Sequence, residues 1–295
     1  APNSIYREVT QLPPGSALVL GPSGEPKITA YWRFAYRQGR AASEREWIER
    51  FRDTFTATVR RHLQSDVPLG AFLSGGVDSS AVVAAMSRVM DEPVRTFTIG
   101  FSDSEFDEAP FARQIAEHLQ CRHTERRVEL DDAATILPQL AGAYDEPFAD
   151  PSAIPTWYVS RLAREQVIVA MSGDGGDELF AGYERHYAER LLATRRPLFA
   201  LARLITALPP LPIARWNYLR QRVAKITDDA RLPSTYQRFF SKYQLTPRSV
   251  RAGLYRPEFT ALLEHGDELE RLAAAYFPVS ASTDPVEQML HADTV

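Results

Sequence analysis

Leu73-Ser74-Gly75-Gly76-Val77-Asp78-Ser79-Ser80 is the stretch that decides the fold. It follows a short apolar run, Val67 to Leu73, and opens into a segment carrying Val82, Ala85, Met86 and Val89 at helical spacing. A strand, a glycine-rich turn and a helix in that order mark the place where open α/β sheets bind ligands. Two glycines let the backbone turn sharply and come close to a ligand. The turn amides, with the positive end of the following helix, form a nest for phosphate or pyrophosphate. Ser74, Ser79 and Ser80 add hydroxyl donors. Asp78 is out of place there, because an acid beside a phosphate cradle repels the ligand. A divalent cation between them removes the repulsion, which makes Asp78 a candidate Mg²⁺ ligand. The string lacks the Gly-x-x-x-x-Gly-Lys-Ser/Thr of a P-loop and the third spaced glycine of a dinucleotide fingerprint.

Outward from this turn, strands alternate with helices. Val94 to Gly100 reads as a strand, Phe106 to Leu119 as a helix, and His123 to Leu130 as extended. Ala133 to Leu140 and Ala153 to Ala163 read as helices, and Val167 to Met171 as a buried strand. That alternation predicts an α/β fold, a parallel sheet with helices on both faces. Upstream, Ser43-Glu44-Arg45-Glu46 fits a capping box, and Trp47, Phe51, Phe55, Val59 and Leu63 recur behind it as one helical stripe. Residues 1–35 carry hairpin grammar, with turns at Leu12-Pro13-Pro14-Gly15-Ser16 and Gly21-Pro22-Ser23-Gly24, and Gln38-Gly39-Arg40-Ala41 reads as a linker. Leu191 to Leu208 and Leu211 to Ile226 predict a basic, proline-interrupted helical C-terminal region, read as a subdomain with solvated arginines.

The 295 residues carry a formal net charge of −4, which argues against a general nucleic-acid binder. No apolar run is long enough to cross a bilayer and no signal-peptide pattern opens the chain, so a cytoplasmic protein is expected. Cys121 is the only cysteine, which excludes a disulfide scaffold and reads as a buried or half-buried small side chain.

A second constellation, Ser172-Gly173-Asp174-Gly175-Gly176-Asp177-Glu178-Leu179-Phe180-Ala181-Gly182-Tyr183, follows the strand ending at Met171. It is another glycine-rich turn, carrying the carboxylates of Asp174, Asp177 and Glu178. In a parallel sheet it can face the first turn across the carboxyl edge. Asp177 could then share Mg²⁺ with Asp78, Ser172 and Gly173 could approach a nucleotide, and Asp174 is left for base chemistry or for orienting a nucleophile.

The string from Ser74 to Ser79 matches the pyrophosphate loop of the ATP pyrophosphatase family, whose fold is of the adenine nucleotide alpha hydrolase type. With the second turn, Phe97-Thr98-Ile99-Gly100, and Tyr144-Asp145-Glu146-Pro147 with Asp150-Pro151-Ser152, the chain resembles the synthetase domain of glutamine-hydrolysing asparagine synthetases. The resemblance implies that Leu73, Ile99, Ser172 and Gly173 line the adenosine site. It implies that Ser74, Gly75, Gly76, Asp78, Ser79 and Ser80 hold the pyrophosphate, with Ser74 and Ser79 assisting its departure, and that Asp78 and Asp177 hold Mg²⁺. Asp174, where some members carry Glu, would be the catalytic carboxylate, set back by about one methylene. Asp145, Glu146, Asp150 and Ser152 lie in a stretch near the acceptor site.

The implied activity is adenylation of an aspartate side chain by ATP, then amide formation with glutamine-derived ammonia to give asparagine and AMP. An amidotransferase acting on another carboxylate and a non-catalytic nucleotide-binding module on the same fold stay open. Residues 1–35 resemble the last strands of a glutaminase domain, and 43–295 a synthetase domain. The chain opens with Ala1 and stops at Val295 without a helix cap, which leads us to expect a fragment. In the family, further helices and a lysine that contacts the leaving pyrophosphate come later. A homodimer stays open.

Overall fold

A computed structural model describes residues 4–33, 42–102, 107–129, 133–148, 150–207, 216, 223, 232, 234–243, 253–259 and 284–294. Two compact units divide the chain, Ala1–Gln11 with Gly39–Asp174 and Leu12–Gln38 with Gly175–Val295.

The second unit opens with the hairpin β1 (Ser16–Leu20) and β2 (Pro26–Ala30), antiparallel with Ser16 opposite Ala30 and Leu20 opposite Pro26. The expected turns lie on either side of β1.

In the first unit, α1 (Glu44–His62) starts on the capping box read from the sequence. The Ser43 hydroxyl accepts from the Glu46 amide at 3.3 Å, and the Glu46 carboxylate accepts from the Ser43 amide at 2.8 Å. Among the described residues the apolar stripe behind it is buried most toward its C-terminal end. Val59 is buried and Phe55 and Leu63 partly so, whereas Trp47 and Phe51 are 49% and 47% exposed.

There follow β3 (Leu69–Phe72), α2 (Val77–Val89), β4 (Arg95–Phe101), α3 (Ala109–His118), β5 (Arg122–Val128), α4 (Ala133–Ala143), α5 (Ala153–Arg164) and β6 (Val169–Met171). The strands form one parallel sheet in the order β5-β4-β3-β6. Residues alternate between its faces. Ala71 and Leu73 join Val82, Val83 and Met86 of α2, Ala112 and Ala116 of α3, and Val59 of α1 in one core. Phe97 and Ile99 turn the other way, onto Leu162 and Ala163 of α5 and onto Val167. Behind α5, Ile136 and Leu140 of α4 pack on Ala153. The expected sheet with helices on both faces is what forms.

One strand departs from its reading. The run from Val167 to Met171 was expected to be a buried strand, but only Val169–Met171 pairs, and Ile168 and Val169 are 55% and 37% exposed. β6 lies at the edge of the described sheet, where an apolar run does not guarantee cover on both faces. Cys121 is half-buried, and burial pushes its thiol pKa up.

Among the described residues the second unit continues with the helices α6 (Gly176–Phe180), α7 (Glu184–Ala207), α8 (Thr235–Tyr243) and α9 (Pro285–Thr294). α7 is kinked at Arg195, two residues ahead of Pro197. The linker expected around Gln38-Gly39-Arg40-Ala41 and most of the helix expected over Leu211 to Ile226 lie outside the described residues. Among the described residues no helix is long and apolar enough to cross a membrane.

Candidate functional site

The strand order itself points to the site. The chain steps from β3 to β4 to β5 in one direction, then crosses back to place β6 on the other flank of β3. The direction therefore reverses between β3 and β6, and ligands of open α/β sheets bind outside the carboxyl ends of the strands at such a point. The two loops that leave there are the glycine-rich turns at Ser74 and Ser172.

The first turn is built for close approach. Gly75 has φ +87°, and a Cβ on it would sit 2.7 Å from the Phe111 Cβ and 2.8 Å from the Ala112 amide. Only glycine meets both the conformation and the space. Gly76 is the N-cap of α2 and supplies no side-chain cap. The first amides of the helix, on Val77 and Asp78, accordingly have no intrahelical acceptor. Asp78 is half-buried in this first turn.

The serine hydroxyls are engaged within the loop itself. Ser79, buried at 9% exposure, donates its hydroxyl to the Gly76 carbonyl at 3.2 Å, and Ser80 donates to the same oxygen at 2.6 Å. The Ser74 and Ser79 hydroxyls lie 3.0 Å apart, and Ser74 Oγ accepts from the Gly76 amide at 3.2 Å. In this state the hydroxyls brace the loop, which leaves the backbone amides of Val77 and Asp78 as its open donors.

Leu73 and Ile99 are buried on opposite faces of the sheet, 1% and 8% exposed, so their side chains belong to the two cores. The Leu73 amide donates to the Phe97 carbonyl at 3.0 Å, and its carbonyl accepts from the Thr98 hydroxyl. Thr98, buried mid-strand, thus fixes the residue from which the loop departs. Nothing in the linear pattern marked it, since a threonine in a strand is commonplace.

The second turn packs on the first. A Cβ on Gly173 would fall 2.6 Å from the Ser79 amide and 3.0 Å from the Asp78 Cβ. Ser172 donates to Asp174 at 2.9 Å, which holds that exposed carboxylate at the loop surface. The register behind them, with Gly70 opposite Ala170 and Ala71 opposite Met171, delivers both turns at the same level.

Asp177 belongs to the other unit, in the first turn of α6. There the Gly182 amide donates to the Asp177 carbonyl at 3.1 Å. Among the described residues no group of three or more His, Cys, Asp or Glu side chains gathers as a metal cluster. Mg²⁺ that travels with a polyphosphate asks less of the protein, one or two carboxylates with the remaining ligands from phosphate and water. Asp78, in the first turn of α2, and Asp177, in the first turn of α6, are oxygen donors of that kind, each in its own unit.

The segment from Tyr144 to Phe148 borders a cleft of about 690 Å³ with the N-terminal residues Ser4, Tyr6, Val9 and Gln11. Glu146 bridges its walls, accepting from the Ile5 amide at 3.3 Å and from Gln11 Nε2 at 2.9 Å. Asp145 lies in the wall beside it. Asp150 accepts from the Ser152 amide at 2.8 Å, which lowers its pKa and fixes the start of α5. The partnership of Glu146 with residues 141 and 135 positions earlier in the chain is tertiary, and no local motif could have signalled it.

Fold and loops together define an α/β protein with two glycine-rich turns packed at the switch point of a parallel sheet. A family model for asparagine synthase matches residues 50–294, and the chain belongs to that family. It is 33% identical to a putative glutamine-hydrolysing asparagine synthetase of Mycobacterium bovis over 99% of this chain and 44% of that protein. Against glutamine-hydrolysing asparagine synthetase 1 of Bacillus subtilis the identity is also 33%, over 62% of this chain and 28% of that protein. The chain thus spans less than half the length of these curated relatives. A solved NH3-dependent NAD synthetase from Campylobacter jejuni aligns with 48% of this chain and 62% of its own, at 18% identity and a TM-score of 0.32.

Proposed function

We propose that this chain carries the ATP-dependent half of a glutamine-dependent amide synthesis, with aspartate as the acceptor. The observation that carries the reading is the packing of two glycine-rich turns on one another at the carboxyl ends of adjacent parallel strands. In the proposed reaction a β-carboxylate oxygen attacks the α-phosphorus of ATP. The bond to the β-phosphate bridging oxygen breaks and pyrophosphate leaves. Ammonia then attacks the acyl carbon, AMP departs, and the nitrogen loses a proton.

The residues divide that work. The open amides of Val77 and Asp78, at the positive end of α2, receive the pyrophosphate charge where it develops, the kind of fixed donor that contributes most to such rates. Leu73, Ile99, Ser172 and Gly173 frame the adenosine through backbone rather than through the buried Leu73 and Ile99 side chains. Asp78 and Asp177 are proposed as the carboxylates that hold Mg²⁺, which supplies charge neutralisation at the phosphates. Asp174, held by Ser172, is proposed to take the proton from the attacking nitrogen. The ammonia would come from a glutaminase domain of the kind that the relatives' names imply, and the cytoplasm is the compartment that fits a biosynthetic role.

The test is pyrophosphate exchange into ATP, measured with aspartate and with a panel of other carboxylic acids. Exchange that depends on both aspartate and Mg²⁺, and falls by about 10²–10³ in Asp78→Asn and in Asp177→Asn, is expected. Exchange driven by another acid alone would move the acceptor, and ATP binding indifferent to Mg²⁺ with no exchange would make the chain a binding module.

A further inference from the structure

α6 cannot hold itself. It has five residues, far short of what an isolated helix needs, and it ends on Ala181 at φ +58°, a left-handed backbone that a non-glycine residue adopts only when its surroundings impose it. The Gly182 amide closes that turn on the Asp177 carbonyl at 3.1 Å, and a chain of side chains reaches the same loop from α9. Asp293 in α9 is almost completely buried, at 1% side-chain exposure, and its two oxygens are divided between two neighbours. Oδ1 accepts from Arg185 Nη2 at 3.0 Å, and Oδ2 lies 2.7 Å from Nε2 of the equally buried His186. The Arg185 guanidinium carbon lies over the Tyr183 ring, 3.5 Å from its centre. The Tyr183 hydroxyl donates to the Glu178 carboxylate, next to Asp177. Burial and Glu178 push the Tyr183 pKa up to about 12, so the phenol remains a donor throughout the working pH range.

The same loop shapes the place of the Asp177 carboxylate. A Cβ on Gly182 would fall on Asp177 Oδ1 and 3.0 Å from its Cγ, so the carboxylate lies over a position that only glycine leaves open. One side of Asp177 is thus set by the absence of a side chain and its neighbour Glu178 by a hydrogen bond.

We propose that Asp293, acting through Arg185, Tyr183 and Glu178, is a positioning residue that fixes α6 and thereby the Asp177 carboxylate in its metal-binding orientation. The inference rests on the reading of Asp177 as a Mg²⁺ ligand. Groups that orient a ligand without touching the metal typically contribute 10–100-fold in affinity.

The experiment compares Asp293→Asn, Tyr183→Phe, their double variant and Asp177→Asn. Mn²⁺ in the presence of ATP serves as the spectroscopic probe, and amide hydrogen exchange is followed over residues 176–183. Tyr183→Phe keeps the ring under Arg185 and loses only the hydroxyl, so it reports even where Asp293→Asn fails to fold. Expected are Mn²⁺ affinity weakened about tenfold or more in each single variant, no further loss in the double, metal-free ATP affinity unchanged, and faster exchange over 176–183. Wild-type exchange over that segment in Tyr183→Phe, or fully additive losses in the double, overturns the proposal. Wild-type Mn²⁺ affinity in Asp177→Asn would instead remove the metal reading of Asp177, while the exchange measurement still decides whether the side-chain chain holds α6.

Discussion

At the scale of single residues, the site depends on what glycines leave out. Gly75→Ala would put a Cβ 2.8 Å from the Ala112 amide at a backbone angle that costs an L-residue about 1–3 kcal/mol. The loop is expected to shift and ATP affinity to fall at least tenfold by calorimetry, with the fold retained by circular dichroism. Gly173→Ala should act on the same affinity by pushing the second turn off Ser79 and Asp78. A different single-residue effect falls on His123, which is half-buried with Nδ1 2.9 Å from Thr96 Oγ1. Burial lowers its pKa below the ordinary 6.5, so the neutral ring is the form that fits. Its contribution is complete above pH 6.5 and is lost as the pH falls through the lowered folded value. Urea unfolding at pH 7.5 and 5 should therefore show a smaller acid loss in His123→Gln than in the parent. The two glycine-rich turns were legible in the sequence because a strand, two glycines and a helix leave one conformation. The inward engagement of the Ser79 and Ser80 hydroxyls was not, because it depends on the Gly76 carbonyl falling within their reach.

At the scale of elements, local grammar proved the most readable. The capping box at Ser43 and Glu46 formed as written, since every group in it lies within four residues. Ser43→Ala should lower the melting temperature by about 2–4 °C without touching nucleotide affinity, as differential scanning calorimetry would show. The apolar stripe behind that box was less readable. Periodicity says which residues share a face, not how deeply each is buried, and Trp47 and Phe51 are exposed while Val59 is buried. β6 taught the same lesson from the other side. Its apolar letters suited a strand buried on both faces, but its place at the edge of the described sheet is a property of strand order. The expectation that the second turn faces the first held, since β6 pairs with β3, but the full strand order was not written in the sequence. The reversal at β3 and β6, which brings the two turns together, emerges only when the sheet is assembled.

At the scale of the whole molecule, the second unit rests partly on buried charge. Glu189 is fully buried and receives two bonds from Arg238 Nε, at 2.8 and 3.1 Å, with Lys242 Nζ at 3.6 Å. Removing one member of such a pair strands the other, so Glu189→Ala should cost about 3–5 kcal/mol by urea unfolding. Replacing Glu189 and Arg238 together with apolar residues of similar volume should cost far less. This pairing of distant helices had no counterpart in the sequence reading, because Glu189 and Arg238 lie 49 positions apart and no local pattern links them. The central claim, that ATP activates a carboxylate by adenylation, is tested most directly by isotope transfer. Aspartate carrying ¹⁸O in its side-chain carboxylate is supplied with ATP, Mg²⁺ and ammonia, and the products are weighed by mass spectrometry. The account predicts one ¹⁸O atom in AMP and none in pyrophosphate. Label appearing in inorganic phosphate with ADP, or AMP formed without label, would contradict it.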